Sequence, residues 1–321
     1  MTQTEALDYW VNALKSLNDQ SSQIVEAFLS SLRDRLEPKI IYHYTDDVGL
    51  RGILESGQLW LSDIFSLNDP SELSHGLSQA VNLLNKKVEN SPPEKRVFAE
   101  HFSNFLTFGL KNTAHYFVCS FSYDNDDLGQ WRAYADNGRG FALGFDAHSL
   151  VNIFQQVSRI AGAEASTFPV TYDDKQLVNI HSQLIEAVYP LISLPQNKSH
   201  NSSLSSEWRE LLTSLSIHAL HSAAYFKHKA YLNESEFRLL QVFPANSKIP
   251  GVAWRSRPYE LAKYQQLPWK GSKLGVLKEI MIGPAADKLK ATQFVKDCLD
   301  AFHTEEISII PSEIPYRTLP R

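Results

Sequence analysis

IIYHYTDD, residues 40–47, sets two isoleucines, two tyrosines, a histidine and a threonine ahead of a pair of aspartates. β-Branched and aromatic side chains suit a pleated, half-buried surface, so residues 40–45 read as a strand. Asp46 is placed to accept the unpaired N–H groups at the start of a helix that carries Leu50, Ile53 and Leu54. Gly57 closes that helix, since a helix end is commonly capped by a residue in the left-handed region. Side chains alternate along a strand, which turns Tyr42 and Tyr44 one way and His43 and Thr45 the other. Two readings follow: a polar sheet edge in water, or a pocket wall to which His43 brings a ring that donates or accepts as its tautomer requires.

Working outward, Val25, Phe28, Leu29, Leu32 and Leu36 recur at helical spacing, so residues 1–38 are expected to form an N-terminal helical extension that Pro38 ends. Downstream, QLWLS (58–62) reads as a short strand and SLNDPSE (66–72) as a turn. Two helices follow, the second at about Glu94–Leu110, and then HYFVCSFS (115–122) as a central strand. A short helix carries Trp131 and Tyr134, a glycine turn precedes a strand at 141–146, and FPVTY (168–172) is another strand. A helix at about 206–230 leads into the strand SEFRLLQVF (235–243), and two late strands flank a helix near 285–301. Residues 193–206, rich in Ser and Asn, are expected to form a mobile loop. Strands and helices do not alternate strictly, which gives an α+β fold with a single domain over 39–321.

Hydrophobic residues make up 43% of the 321, enough for a sizeable core, and 31 basic against 36 acidic residues argue against bulk coating of nucleic acid or membrane. No run approaches the roughly 18 apolar residues of a membrane span. Two cysteines, Cys119 and Cys298, supply neither a disulfide framework nor a zinc ligand set, which suggests a reducing, cytoplasmic setting. There is no G-x-S-x-G elbow, no phosphate-binding G-x-x-x-x-G-K-[ST] and no G-x-G-x-x-G. His218, His221 and His228 lack an H-E-x-x-H frame, and no metal is expected.

Four clusters remain. Asn68, Asp69 and Glu72 are ordinary turn chemistry, or a loop that returns to a pocket. Ser120 and Ser122 share a strand face, and Trp131 and Tyr134 share a helix face, as core or as a ligand platform. Glu234 and Glu236, two apart on an extended strand, face one side with Arg238, as a solvated edge or as carboxylates that stabilise developing positive charge. Residues 225–280 hold ten Lys and Arg against four Glu, with Tyr231, Trp254, Tyr259 and Trp269 among them. That interleaving is a solvated basic face or a surface for single-stranded nucleic acid.

In order, YHYT, L-x-x-I-L-x-S-G-x-L-W-L-S, NDPSE, CSFS, W-x-x-Y-A, G-F-A-L-G-F, E-x-E-F-R and I-M-I-G-P resemble a widespread bacterial family of domains of unknown function, over about residues 40–285. The opening, His-x-Thr on a strand and then a helix ending in I-L-x-x-G-x-L, also resembles ADP-ribosyltransferase folds. That resemblance implies a split mixed β-sheet with NAD in its cleft. His43 would bond an NAD ribose hydroxyl with Thr45 in support, and Tyr123 or Tyr134, with ten residues between them, would stack on nicotinamide. Glu236 would be the catalytic carboxylate. Ser120, Ser122 and Trp131 would complete the NAD-binding set, with Asn68, Asp69, Glu72, Glu234 and Arg238 in secondary roles. Ser120-x-Ser122 and Glu234-x-Glu236 are similar to a branch of that superfamily that opens on arginine, whereas this chain opens on histidine. The expectation is an enzyme that cleaves NAD and transfers ADP-ribose to a nucleic-acid or protein acceptor, in phage defence or a toxin-type stress response. An NAD glycohydrolase and a non-catalytic nucleic-acid or nucleotide-binding module are the alternatives.

Overall fold

Residues Ile40–Thr45 form strand β1, and the Asp46 carboxylate caps the next helix, α2 (Asp47–Ser56), by accepting the Gly49 N–H at 2.7 Å. Gly57 closes α2 with a φ of 65°. The computed structural model describes residues 3–33, 39–67, 70–109, 114–193, 206–244, 247–257, 259–270, 275–302 and 306–316. Asn68, Asp69 and nearly all of the serine-rich stretch at 193–206 lie outside the described residues, as does the side chain of Glu72.

Helix α1 spans Gln3–Arg33. After α2 come β2 (Gln58–Asp63), α3 (Pro70–Val88), α4 (Pro93–Asn104), β3 (Ala114–Ser122), α5 (Leu128–Tyr134), β4 (Phe141–Asp146), α6 (Ala147–Ala161), β5 (Glu164–Pro169) and α7 (Asp174–Val188). The chain continues through α8 (Ser206–Ala223), β6 (Glu236–Pro244), β7 (Ala253–Arg257), β8 (Glu260–Pro268), β9 (Leu277–Ile282), α9 (Lys288–Phe302) and β10 (Ser308–Pro311). The β7–β8 hairpin had no counterpart in the sequence reading.

The ten strands of the described residues join one mixed sheet, antiparallel except where β10 runs parallel to β9. Its order is β10-β9-β4-β1-β3-β2-β8-β7, with β6 along β3 and β5 along β6. β3 and β6 pair over their full lengths, from Ala114↔Pro244 to Ser122↔Glu236. β1 meets β3 at one position, Tyr42↔Ser122, and β2 meets it at Val118 and Phe117. Between those contacts Cys119, Ser120 and Phe121 pair, among the described residues, with β6 alone, so the sheet splits into two halves there.

Each face of the sheet is covered. On one, Tyr116, Val118 and Leu240 pack with Leu17, Val25, Leu29 and Leu32 of α1, and with apolar residues of α3, α4, α7 and α8. On the other, Ile41, Phe117, Cys119, Phe121 and Leu239 pack against α2, α6 and α9. Fully burying a leucine- or phenylalanine-sized side chain contributes about 1.5–3 kcal/mol, so these two layers are the main hold on the sheet. Among the described residues no helix is long and apolar enough to cross a membrane.

Gly140, at the entry to β4, lies against the β1 backbone: a methyl group there would sit 2.2 Å from the Thr45 carbonyl oxygen and 3.0 Å from the Ala135 backbone. Backbone on both sides cannot yield as a side chain can. Gly140→Ala is expected to lower unfolding free energy by ~2–3 kcal/mol in urea titration. Gly52→Ala, in open space on α2, should raise it by about 0.5–1 kcal/mol. Equal effects at the two positions would show that the β1–β4 contact is looser than described.

Candidate functional site

The face that β3 and β6 share changes character along its length. Val118↔Leu240 is apolar and buried in the core, whereas the next pairs on the same face are Ser120↔Arg238 and Ser122↔Glu236. At that end a cleft of about 220 Å³ opens in the split of the sheet. It is smaller than the ~300–1,000 Å³ of a typical small-molecule site, so a whole dinucleotide would extend beyond it.

Four charged side chains interlock there. Arg238 grips Glu236 with two bonds, Nε to Oε1 at 2.6 Å and Nη2 to Oε2 at 2.9 Å, while its Nη1 donates to the Ala224 carbonyl at 2.6 Å. Lys227 lies 3.4 Å from Glu236 Oε2 and also donates to Glu234. Burial alone would raise the Glu236 pKa, but the charge and hydrogen bonds of Arg238, with Lys227 and the Ser120 hydroxyl, outweigh it and hold the group at about 2. Glu236 is thus an anion at any ordinary pH.

The two glutamates reach the cleft differently from the sequence expectation. Only Glu236 is on the strand, on one face with Arg238 as alternation requires. Glu234 closes a 3₁₀ turn, Lys229–Glu234, and Ser235 between them sits in the left-handed region at φ 45°. The two carboxylates therefore flank a backbone reversal. Ser122 anchors that reversal by donating to the Glu234 carbonyl at 2.8 Å.

His43 stands at the seam. Its Nδ1 lies 3.1 Å from the carbonyl oxygen of Ser120, in the stretch where β3 has lost its neighbour on that edge. Burial lowers the pKa of His43, with the Ser120 bond opposing, so the ring is neutral near pH 7. A neutral ring that donates from Nδ1 keeps Nε2 as an acceptor, suited to a ligand hydroxyl.

Helix α5 supplies Gln130 and Tyr134 to the rim. The Tyr134 hydroxyl donates to Glu234 Oε1 at 3.2 Å, and its ring is 42% exposed. Trp131, expected beside it as a ligand platform, is fully buried: its indole N–H donates to Asp126 at 2.7 Å and its ring packs edge-on to Tyr44 at 4.8 Å. Trp131 thus fixes α5 and does not line the cleft. Tyr44 is buried and packs on Trp131, as its alternation predicts, and it also borders the cleft.

The opposite wall comes from β2 and β7: Trp60, Ser62, Arg255 and Arg257. Residues two apart on β7 share a face, so the two arginines point together. With Lys227 and Arg238 they give the cleft four cations against two carboxylates, an environment for an anionic ligand.

Of the residues expected at the site, the cleft gathers His43, Ser120, Ser122, Tyr134, Glu234, Glu236 and Arg238. Thr45 and Tyr123 are not among its lining residues; Tyr123 packs against Phe237, with ring centres 5.9 Å apart. The segment 225–280 is not one basic and aromatic surface. Lys227 and Arg238 are buried in the cleft and Trp269 is buried in the core, while Trp254 and Tyr259 are exposed. Lys227, Arg255, Arg257, Trp60, Ser62 and Gln130 were missed. Arg255-x-Arg257 carries the period-2 signal that would have placed both arginines on one face, had a strand been recognised there.

Residues 130–239 match the family model of DUF2971, a protein of unknown function. The matched segment is narrower than the span of motifs quoted above. It runs from Gln130 on α5 to Leu239 on β6, so it contains Tyr134, Lys227, Glu234, Glu236 and Arg238 and stops short of His43, Ser120 and the β7 arginines. No curated protein and no solved structure matches the chain.

Proposed function

We propose that the cleft binds NAD, breaks its nicotinamide–ribose bond and passes ADP-ribose to a nucleic-acid or protein acceptor, as in ADP-ribosyltransferase-like enzymes. The observation that carries this reading is the convergence on one cleft of a neutral His43 from β1 and a permanently ionised Glu236 from β6, with Tyr134 at the rim. When the C1′–N bond breaks, its electron pair neutralises the pyridinium nitrogen and leaves positive charge on the ribose. A fixed anion close by lowers the energy of that state. His43 accepts a ribose hydroxyl through Nε2, and the Tyr134 ring offers nicotinamide a stacking surface. The acceptor's nucleophilic atom bonds C1′ and loses its proton.

One observation favours a second reading. Arg238 and Lys227 balance the charges of Glu234 and Glu236, so little net negative charge faces the cleft. A site so neutralised suits nucleotide binding without chemistry. Incubation with NAD, with and without DNA, RNA or cell lysate, separates the two. Release of nicotinamide by the wild type, reduced at least ~100-fold in Tyr134→Ala and in Glu236→Gln with both variants still folded, supports the enzyme. Saturable NAD binding with no release under any condition selects the binding module. Release without added acceptor would make water the acceptor, as in an NAD glycohydrolase.

A further inference from the structure

The wall formed by β2, β7 and β8 has features that neither the reacting end of the cleft nor the fold requires. Arg255 is half-buried; its Nη2 donates to the Ser62 hydroxyl at 3.1 Å, while its Nε is buried with no hydrogen-bond partner among the described residues. A buried, unsatisfied donor on a half-buried cation is costly unless a ligand completes it. Burial and the adjacent Arg257 both lower the pKa of Arg255, against the opposing influence of Tyr264, so two like charges are held together at the cost of mutual repulsion. Arg257 is itself anchored, donating to the Ser66 carbonyl. Alternate positions on a strand are about 7 Å apart, which lets each guanidinium take its own phosphoryl group.

Beside the arginines stands an aromatic platform. Trp60, opposite Gln266 on β8 and 45% exposed, stacks on Tyr264 with ring centres 4.3 Å apart and planes 29° apart. The Tyr264 ring fixes the indole from one side, and Trp60 also borders the cleft. A rigid aromatic face next to paired guanidiniums is the chemistry that holds a base and its phosphates.

We propose that Arg255, Arg257 and Trp60 form a subsite for a purine nucleoside diphosphate, with the two phosphoryl groups on the arginines and the base on Trp60. This rests on the NAD reading of the cleft and gives the bound dinucleotide a direction: its ADP half lies on the β2–β7 wall and its nicotinamide half faces Tyr134, Glu234 and His43.

Calorimetric titration of the full chain with ADP, AMP, pyrophosphate and a short single-stranded oligonucleotide tests the assignment. The wild type is expected to bind ADP more tightly than AMP. Arg255→Gln and Arg257→Gln should each weaken ADP at least tenfold, with Arg255→Lys recovering part of the loss. Trp60→Ala should weaken ADP and leave pyrophosphate unchanged. Near-wild-type melting temperatures show that these half-exposed positions report binding rather than folding. ADP affinity indifferent to either arginine overturns the subsite, as does an oligonucleotide that binds through the same arginines more tightly than ADP. The subsite and the enzyme fail separately. Arginine-dependent ADP binding without nicotinamide release removes the enzyme and keeps the subsite, whereas release with arginine-independent ADP affinity does the reverse.

Discussion

Arg238→Met is expected to lower unfolding free energy by ~3–5 kcal/mol at pH 7, because it strands a buried carboxylate. Glu236 is 5% exposed and both its oxygens are held by Arg238; Lys227, at 3.4 Å from one of them and committed also to Glu234, cannot replace that grip. Removing the acid together with the base should behave differently. Glu236→Leu with Arg238→Met leaves the Lys227–Glu234 pair in place and should recover most of the loss, so the double-mutant cycle isolates the coupling. The pH dependence has a definite sign. The Glu236 pKa is lowered to about 2, so its contribution is present above the unfolded value of 4.5 and is lost as pH falls toward 2. In Arg238→Met that acid-side loss should shrink or vanish. Urea unfolding from pH 7 to pH 3 reads both effects; an Arg238→Met variant as stable as the wild type at pH 7 would mean that the pair contributes nothing net.

The second large effect is acid destabilisation that begins well above the carboxylate range. His181 on α7 is buried against α8 with Nε2 3.1 Å from the Ser222 hydroxyl, and the half-buried His221 on α8 faces β5 with Nε2 3.3 Å from the Ser166 hydroxyl. Burial lowers both to a pKa of about 4, and for His221 the nearby His218 adds to the shift. Below the unfolded value of 6.5 the unfolded chain takes up protons that the folded chain refuses. The stability these groups confer is therefore full above pH 6.5 and drains away as pH falls toward 4. A shift of that size corresponds to about 3 kcal/mol per histidine. Denaturation at pH 7.5 and pH 4.5 should show the fall, and His181→Gln with His221→Gln should flatten it. An unchanged slope in the double variant would place the acid sensitivity elsewhere.

Much of the architecture was written in local patterns. β1 and its capped helix, the 115–122 and 141–146 strands and the late strand–helix–strand unit each follow from branching, alternation or a cap that a few adjacent residues define. The β7–β8 hairpin was invisible for the opposite reason. Trp254-Arg255-Ser256-Arg257 sets charge on the very positions that face the cleft, so the strand lacks the apolar alternation that announces one. The site was legible in part for the same reason. Glu236 and Arg238 share a face by strand periodicity alone, but Glu234 joins them through the left-handed Ser235, which no pattern marks. Trp131 and Tyr134, three apart on one helix, were expected to act together. The first is the foot of α5 in the core and the second is its rim over the cleft, a division set by the Asp126 bond and by Tyr44. Lys227 directly follows the buried Tyr225 and Phe226, and only the tertiary return of that segment brings it to Glu236.

The single rung between β1 and β3 also has a mechanical meaning. In-plane stiffness in a sheet comes from its ladder of backbone bonds, and here the nine pairs of β3 and β6 act as a spine, while Tyr42↔Ser122 is one stitch. Bending concentrates where the stitching is thinnest. Yet both flanks of that line are firmly sewn, with β1 joined to β4 at six positions and β2 to β8 at five. The fold is thus two stiff plates on a common spine, and the gap between the plates is the dimension most easily set by whatever lies in it.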